Sequence, residues 1–470
     1  MSDSSEIAFL SAHELASAIG AGRLTAESVA EVFLHRIQRF PRLHAFTEVY
    51  TADVIAAAKA ADFSIQSGHQ VGQLQGVPVA VKDIVDIEGR ITTGGSLLWV
   101  NRVSPQTATL VRHMIAAGMI ILGKTHTVEF AMGSFGTNQH RGTPWNPWDP
   151  ECHRIPGGSS AGSAVSVAAG LAPWAIGTDT GGSVRIPAAL CGLVGLKTTV
   201  GRISCEGVLP LSTTLDTPGP ICRTVYDAAI LYDVLCGRNS DLQQAGNGQQ
   251  QRLQAGVAGF RLARVPEKEL ESVEPAVLEA YNASLELLHK LGATLVDISL
   301  PHSFTELGEF VGRIIGAEGY SFVGHLVDDE SLPVDDDVRP RIQIGRDMSA
   351  QDYLAVLRDQ RAAQRAFHTA MDEVDALLTP TTKTTAPLVD SVDQSGTMAH
   401  FTRPVNLVGG CALAVPNGFT AGGLPTSLQI ACCGGDEEIA LRIGAALEQA
   451  TDWHNSRPPE FDESIEQRLE

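Results

Sequence analysis

The stretch GGSSAGSAVSVAAGLAPWAIGTDTGGSVRIPAALCGLVGLK, from Gly157 to Lys197, is crowded with Gly, Ser and Ala, yet it does not read as a flexible linker. Apolar residues recur through SAVSVAAGLAPWAIG and again through IPAALCGLVGLK. Both halves therefore expect a packed environment, and small residues there mean close approach of backbones. Upstream, the apolar run VPVAV from Val77 ends in Lys82 and Asp83, and the helix-like TATLVRHMIAAG and a second run, MIILG, follow. That order is strand, crossover helix, strand. Downstream, FRLARV, the helical pattern EPAVLEAYNASLELLHKLG and TLVDISL repeat it. The alternation predicts an α/β fold whose sheet is covered on both faces, with chemistry placed at strand ends.

The flanks fit around this centre. Two N-terminal helices are expected, the first opened by a capping box at Ser11 and Glu14, the second with Val29, Val32, Phe33 and Ile37 on one stripe. A helix over DAAILYDVLCG is opened by a capping box at Thr224 and Asp227 and stops at a glycine, giving way to the polar, Gln-rich NSDLQQAGNGQQQRLQAG, which reads as a surface loop or a mobile crossover. Residues 301 to 375 are mainly helical, strand-like runs return at DALLTP, CALAVP and TSLQIA, and EEIALRIGAALEQA closes the pattern as a helix. No fixed-period repeat is visible, which argues against a solenoid or propeller.

Bulk properties narrow the function. The 470 residues carry a formal charge of −20, and nucleic acid or an anionic membrane would need a concentrated basic surface, so neither is expected as a partner. No apolar stretch long enough to span a bilayer occurs, and MSDSSEIAFLSAHELASAIG lacks the basic start and continuous apolar run of a secretory signal. The expectation is a soluble, cytoplasmic protein. The eight cysteines include no CxxC pair and read as small core residues in a reducing compartment; the neighbours Cys432 and Cys433 are poorly shaped for a disulfide. No His, Cys or carboxylate cluster has metal-ligand spacing, so neither metal nor cofactor is expected.

The segment from Gly157 to Lys197 resembles the signature sequence of the amidase signature family. The resemblance continues in GVPVAVKDIVDIEGRITTGGS and GKTHTVEFAMGSFGTN, then in GRISCEGVLPLSTTLDTPGPICRTVYDAA and NLVGGCALAVPNGFTAGGLPTSLQI, roughly half of the chain in the family's order. It implies one large α/β domain, a central mixed β-sheet surrounded by α-helices. Along it, residues 1–65 would form the N-terminal helices, 66–237 the signature core, 238–256 a polar loop, 257–375 an α/β and helical insertion, and 376–470 a return to the core.

It also implies a carbon-nitrogen hydrolase with Ser183 as nucleophile, Ser159 as bridging serine and Lys82 as base, the two serines twenty-four residues apart. The residues agree with this on their own terms. A serine hydroxyl is a weak nucleophile needing an adjacent base, no histidine sits in AVKD, GGSSAG or GTDTGGS, and a lysine at a buried strand end serves once desolvation lowers its pKa. In the family a cis peptide precedes the bridging serine, here between Gly158 and Ser159. Gly181 and Gly182 let backbone N–H groups converge, with those of Thr180 and Ser183, on an oxyanion. Ser160, Asp179 and Arg185 are expected as supports, and Met132, Gly133 and Ser134 fall where the family's loop approaches substrate. His126 stands where the family more often has asparagine, and is read as structural.

Three other readings stay open. GSSAG, residues 158 to 162, satisfies the G-x-S-x-G elbow of an α/β-hydrolase esterase with Ser160 as nucleophile, but that elbow needs a strand before it and ECHRIPG does not read as one. The chain could be the glutaminase subunit of a tRNA-dependent amidotransferase; the region from Arg341 to Phe367 looks more like stand-alone amidases. A catalytically dead binding or scaffold protein would have no use for all three triad positions. The expected partner is a small amide, with carbamates, aryl amides, ureas and esters open as substrates and a homodimer as the family-level oligomer.

Overall fold

The computed structural model describes residues 4–69, 72–238 and 250–461. Its strands are β1 (Phe46–Val49), β2 (Pro78–Lys82), β3 (Ile120–Thr125), β4 (Trp174–Asp179), β5 (Val194–Lys197), β6 (Thr217–Cys222), β7 (Arg261–Arg264), β8 (Thr294–Asp297), β9 (Ala376–Pro380), β10 (Cys411–Phe419) and β11 (Pro425–Cys432). All eleven join one mixed sheet in the order β1-β3-β2-β4-β6-β5-β10-β11-β9-β7-β8. The two strand-helix-strand units read from the sequence are its parallel parts: β2 pairs with β3, and β7 with β8. Between them lies a run of antiparallel pairings from β4 through β9.

β2 is buried at all five positions, as expected of an apolar run covered on both faces. Its parallel neighbour β4 is likewise buried throughout, with Val81 opposite Ile176. Parallel pairing puts the C-terminal ends of both strands at one edge, so Lys82 and the turn after Asp179 arrive together. The helix Ala161–Ala168 packs on β4 and β2 and has no exposed residue. A Cβ at Gly162 would sit 2.2 Å from the carbonyl oxygen of Ala45 and 2.4 Å from the amide of His126, which is why this helix is built from small residues.

The N-terminal helices form where expected, Ala12–Gly20 with the Ser11/Glu14 capping box in place and Ala26–Arg39 burying Val29 and Phe33. Thr224 caps Val225–Leu235, but the Asp227 carboxylate does not complete a box there. It instead accepts from the amides of Ala12 (2.7 Å) and His13 (3.0 Å), pinning the N-terminal helix to the core. Residues 301 to 375 carry Phe304–Val327, Arg339–Gln343 and Ala350–Ala370. The polar loop expected over 238–256 lies largely outside the described residues. The cysteines differ in part from expectation: Cys152 and Cys205 are exposed rather than core. No helix among the described residues is long and apolar enough to cross a membrane.

Candidate active site

Lys82, the last residue of β2, is wholly buried, and its Nζ donates to Ser159 Oγ at 2.7 Å and to Thr178 Oγ1 at 2.8 Å. Burial lowers its pKa to about 7; Asp216 and Asp179, charged nearby, oppose that only in part. The peptide bond between Gly158 and Ser159 is cis. The loop it belongs to is held by Gly158 N–H donating to the Ser134 carbonyl (2.8 Å) and Ser160 N–H to the Ser183 carbonyl (3.3 Å). Ser160 precedes a helix, but its hydroxyl forms no cap; it meets the backbone of Thr178 on β4 instead. The residues before Ser159 form no strand, which removes the structural basis of the esterase elbow.

The turn after β4 is shaped by Asp179. Its Oδ1 accepts from Gly182 N–H at 2.8 Å and its Oδ2 from Val184 N–H at 3.2 Å, while Arg185 engages both oxygens at 2.8 and 2.9 Å. Burial alone would raise this carboxyl, but the Arg185 guanidinium overrides it and holds it well below the usual carboxylate range. Arg185 is itself wholly buried and reaches Asn406 Oδ1 and Gln429 Oε1, both at 2.6 Å. Because Gly182 N–H is spent on Asp179, the amides left without a hydrogen bond among the described residues of this turn are those of Thr180, Gly181 and Ser183.

Ser183 opens on a cavity of about 60 Å³ that Met132, Gly133, Ser134, Thr180 and Gly181 also line. The structure thus brings the residues expected near substrate onto one wall. Between the hydroxyls of Ser159 and Ser183 there is no direct hydrogen bond. His126 is buried, its pKa lowered to about 4 by that burial, with Nε2 3.3 Å from the Arg141 carbonyl, away from Lys82 and Ser183's pocket.

Four residues near the site were not legible as such. Thr178 and Asp216 reach it through β4 and the start of β6; Asp216, raised to about 6 by burial, accepts from Thr180 Oγ1 at 2.5 Å. Arg341 and Arg403 line the cavity from the helical insertion and the C-terminal part of the chain. A lone arginine in FTRPVNL is the only trace of Arg403 in the sequence.

An α/β chain with this sheet, a serine-bearing pocket and a buried lysine hydrogen-bonded to a second serine has the features of a class of carbon-nitrogen hydrolases. The chain matches the Amidase family over residues 28–441, and it belongs to that family. It is 37% identical over 473 residues to the A component of the glutamyl-tRNA(Gln) amidotransferase of Chloroflexus aurantiacus, covering 94% of this chain and 96% of that one. A crystal structure of an amidase superposes with a TM-score of 0.85 at 30% identity, covering 94% of this chain and all of that one. The A component of the glutamyl-tRNA(Gln) amidotransferase of Thermotoga maritima does so with 0.76 at 31%, covering 95% and 96%.

These relatives correct the expectation that partners are confined to small molecules and a second copy, with nucleic acid excluded. Two of the three are named as one subunit of an enzyme whose name includes a tRNA. Net charge describes what one chain's own surface attracts and leaves open what an assembly containing it acts on.

Proposed function

We propose that this chain cleaves a linear amide by acyl transfer, with Ser183 as nucleophile and Lys82 as the base acting through Ser159. The observation that carries the reading is the 2.7 Å hydrogen bond from a wholly buried Lys82 to Ser159, beside a pocket onto which Ser183 opens. Ser183 Oγ attacks the carbonyl carbon while its proton passes to Ser159 Oγ and the Ser159 proton passes to neutral Lys82. The oxyanion faces the free amides of Thr180, Gly181 and Ser183, whose fixed dipoles stabilise charge as it develops. The proton returns to the leaving nitrogen as the C–N bond breaks. Water then attacks the Ser183 ester, releasing the acid and restoring the hydroxyl. Asp179, Arg185 and Ser160 hold the two loops in place without touching the reacting atoms.

A fluorophosphonate should label the wild type at Ser183 and leave Ser183→Ala unlabelled. Ser159→Ala and Lys82→Ala should each lose amidase activity by several orders of magnitude, non-additively, since they act as one unit. Labelling at Ser160 or near-normal turnover by Lys82→Ala would sink the assignment.

The relatives favour a second reading over a free-standing amidase, reversing the balance drawn from Arg341 to Phe367. It makes the chain the glutaminase subunit of a tRNA-dependent amidotransferase, supported by 37% identity to one such component over nearly its whole length. Ammonia release from glutamine that rises on adding the other components and tRNA would support it. Equal turnover with the chain alone would favour a free-standing enzyme.

A further inference from the structure

Two carboxylates stand near Lys82, and one of them is neutralised. Asp179 is ion-paired with Arg185 at 2.8 Å. Asp216, in the turn that leads into β6, has no lysine, arginine or histidine at ion-pair distance among the described residues. Its Oδ1 accepts from Thr180 Oγ1 at 2.5 Å, and its Oδ2 from the amides of Leu211 and Ser212, both at 2.9 Å. Thr180 and Leu211 both line the Ser183 pocket, so this one carboxylate joins two of its walls. Behind it, Glu318 of the helix Phe304–Val327 accepts from Ser212 Oγ at 2.5 Å and from the Thr214 amide at 3.1 Å, fastening the turn that Asp216 closes.

β4 sets where that charge points. The Thr178 hydroxyl receives Lys82 Nζ at 2.8 Å, and Thr180, two residues on, donates its own hydroxyl to Asp216. The ladder between β4 and β6 still runs at Asp179, opposite Thr217, so strand alternation turns Thr178 and Thr180 to one face and Asp179 to the other. Lys82 and Asp216 are thereby held on the same side of the strand, with two threonine hydroxyls between them. Other ionisable neighbours do not compete: Asp83 is paired with Lys124 at 2.9 Å, and the Cys205 thiol, 3.6 Å from the Asp216 carbonyl, is pushed up to about 12 and stays neutral. The Asp216 carboxyl, raised to about 6 by loss of solvation, is largely ionised where Lys82, at about 7, gives up its proton.

We infer that Asp216 is a positioning residue for acyl transfer: through Thr180 it fixes the turn that receives the oxyanion, and its unpaired charge, facing Lys82 along β4, keeps that buried amine a strong enough base to draw the proton from Ser159. Without this charge, desolvation would leave Lys82 neutral at lower pH but a weaker base, and a weaker base takes the proton more slowly. The inference rests on Lys82 as the base, and it holds whether the chain acts alone or as a subunit.

The test follows the rate of Ser183 labelling by a fluorophosphonate from about pH 5 to about pH 9 in the full chain. Asp216→Asn removes the charge and keeps the shape, since an amide can accept from Leu211 and Ser212 and donate to Thr180 Oγ1. Its labelling should reach half-maximum at a pH lower by about half a unit or more, with a plateau about threefold or more below wild type. Thr180→Val, which keeps the charge, should lower the plateau about tenfold, and Thr180→Ser should restore most of it. A merely structural Asp216 would lower the plateau and leave the midpoint in place. In parallel, the Lys82 Cε resonance in protein carrying isotope-labelled lysine, assigned by its loss in Lys82→Ala, is titrated by NMR in wild type and Asp216→Asn. Its midpoint should fall by the same amount. A Lys82 midpoint unmoved or raised in Asp216→Asn, or Thr180→Val labelled at the wild-type rate, would overturn the inference; Asp216→Ser removes the same charge should Asp216→Asn fail to fold. A lowered Lys82 midpoint beside a labelling rate indifferent to Lys82→Ala would overturn Lys82 as the base while upholding the field that Asp216 exerts on it.

Discussion

Lys82, Lys124 and Lys197 are all wholly buried, and what each touches separates them. Lys124 is paired with Asp83 at 2.9 Å, and Lys197 donates to the carbonyls of Thr198 and Gly410 at 2.8 and 2.7 Å. Lys82 meets two hydroxyls, so its ammonium has no ion-pair partner among the described residues and its proton is the easily lost one. Activity should rise with pH through about 7 as Lys82 becomes neutral, and a pH-rate profile of Lys82→Ala should lack that acidic limb. Stability should move the other way on substitution. Because the folded pKa lies below the usual 10.5, the unfolded chain between about pH 7 and 10.5 holds a proton that the folded chain does not, and stability rises with pH across that window. Lys82→Met should therefore raise the unfolding free energy at neutral pH by a few kcal/mol at most (a shift of one pKa unit is about 1.4 kcal/mol), and Tm with it, with the gain fading toward pH 10.5. A lower Tm for Lys82→Met at pH 7 would show that burial does not strain this amine.

At the scale of elements, the site depends on a turn clamped from two sides. Asp179 holds its amides from within, and the helix Thr402–Leu407 presses on it through Thr402 and through Asn406, which reaches both Asp179 and Arg185. Gly182 has φ +131, and a Cβ there would lie 2.3 Å from Thr402 Oγ1 and 2.6 Å from Ile186 Cδ1. Gly182→Ala should thus displace turn or helix, lowering kcat by about 100-fold or more, as for loss of an oxyanion donor, together with Tm. Arg185→Met, measured by denaturant unfolding, should cost about 3–5 kcal/mol, because it strands a buried carboxylate. The depressed Asp179 pKa means that this pair's contribution, present above the unfolded pKa, is lost only in strong acid.

For the molecule as a whole, the start of the helix Ala12–Gly20 is tied to the core by a carboxylate on the helix Val225–Leu235. Asp227 receives two amides of the N-terminal helix and lies 2.8 Å from His13 Nδ1. Burial pulls the His13 pKa down, but the Asp227 hydrogen bond and charge outweigh it and raise it overall. The contribution of the pair is then full below the unfolded pKa of His13 and lost as pH rises through the folded one. Asp227→Ala should speed limited proteolysis around residues 21 to 25 and lower Tm, and the difference in Tm should shrink at alkaline pH. Unchanged proteolysis would mean that the other contacts, apolar packing and the hydrogen bonds of Arg36 and Arg223 among them, hold the helices without Asp227.

Periodicity read the strand-helix-strand units correctly because each is local: alternation of apolar runs and a 3.6-residue stripe needs no distant partner. The same holds for the Ser11 capping box and for the small residues of Ala161–Ala168, where close packing leaves a compositional mark. Lys82, Ser159 and Ser183 were singled out by the motifs around them. The antiparallel centre of the sheet, which joins β4 to β9, left no such mark: β10 and β11 are neighbours in the chain, but the pairing of β5 with β10 that joins the two halves links segments far apart in it. Thr178 and Asp216 are ordinary residues in sequence, given a place beside Lys82 only by the pairing of β4 with β2 and β6. The chain's charge of −20 was read as a property of the whole, and it concealed two arginines concentrated on one small cavity. The sequence by itself determined the fold class and the residues expected to react; which charge the pocket presents to a substrate was decided by the tertiary structure, because Arg341 and Arg403 meet Ser183 only after segments more than 150 residues away in the chain pack over it.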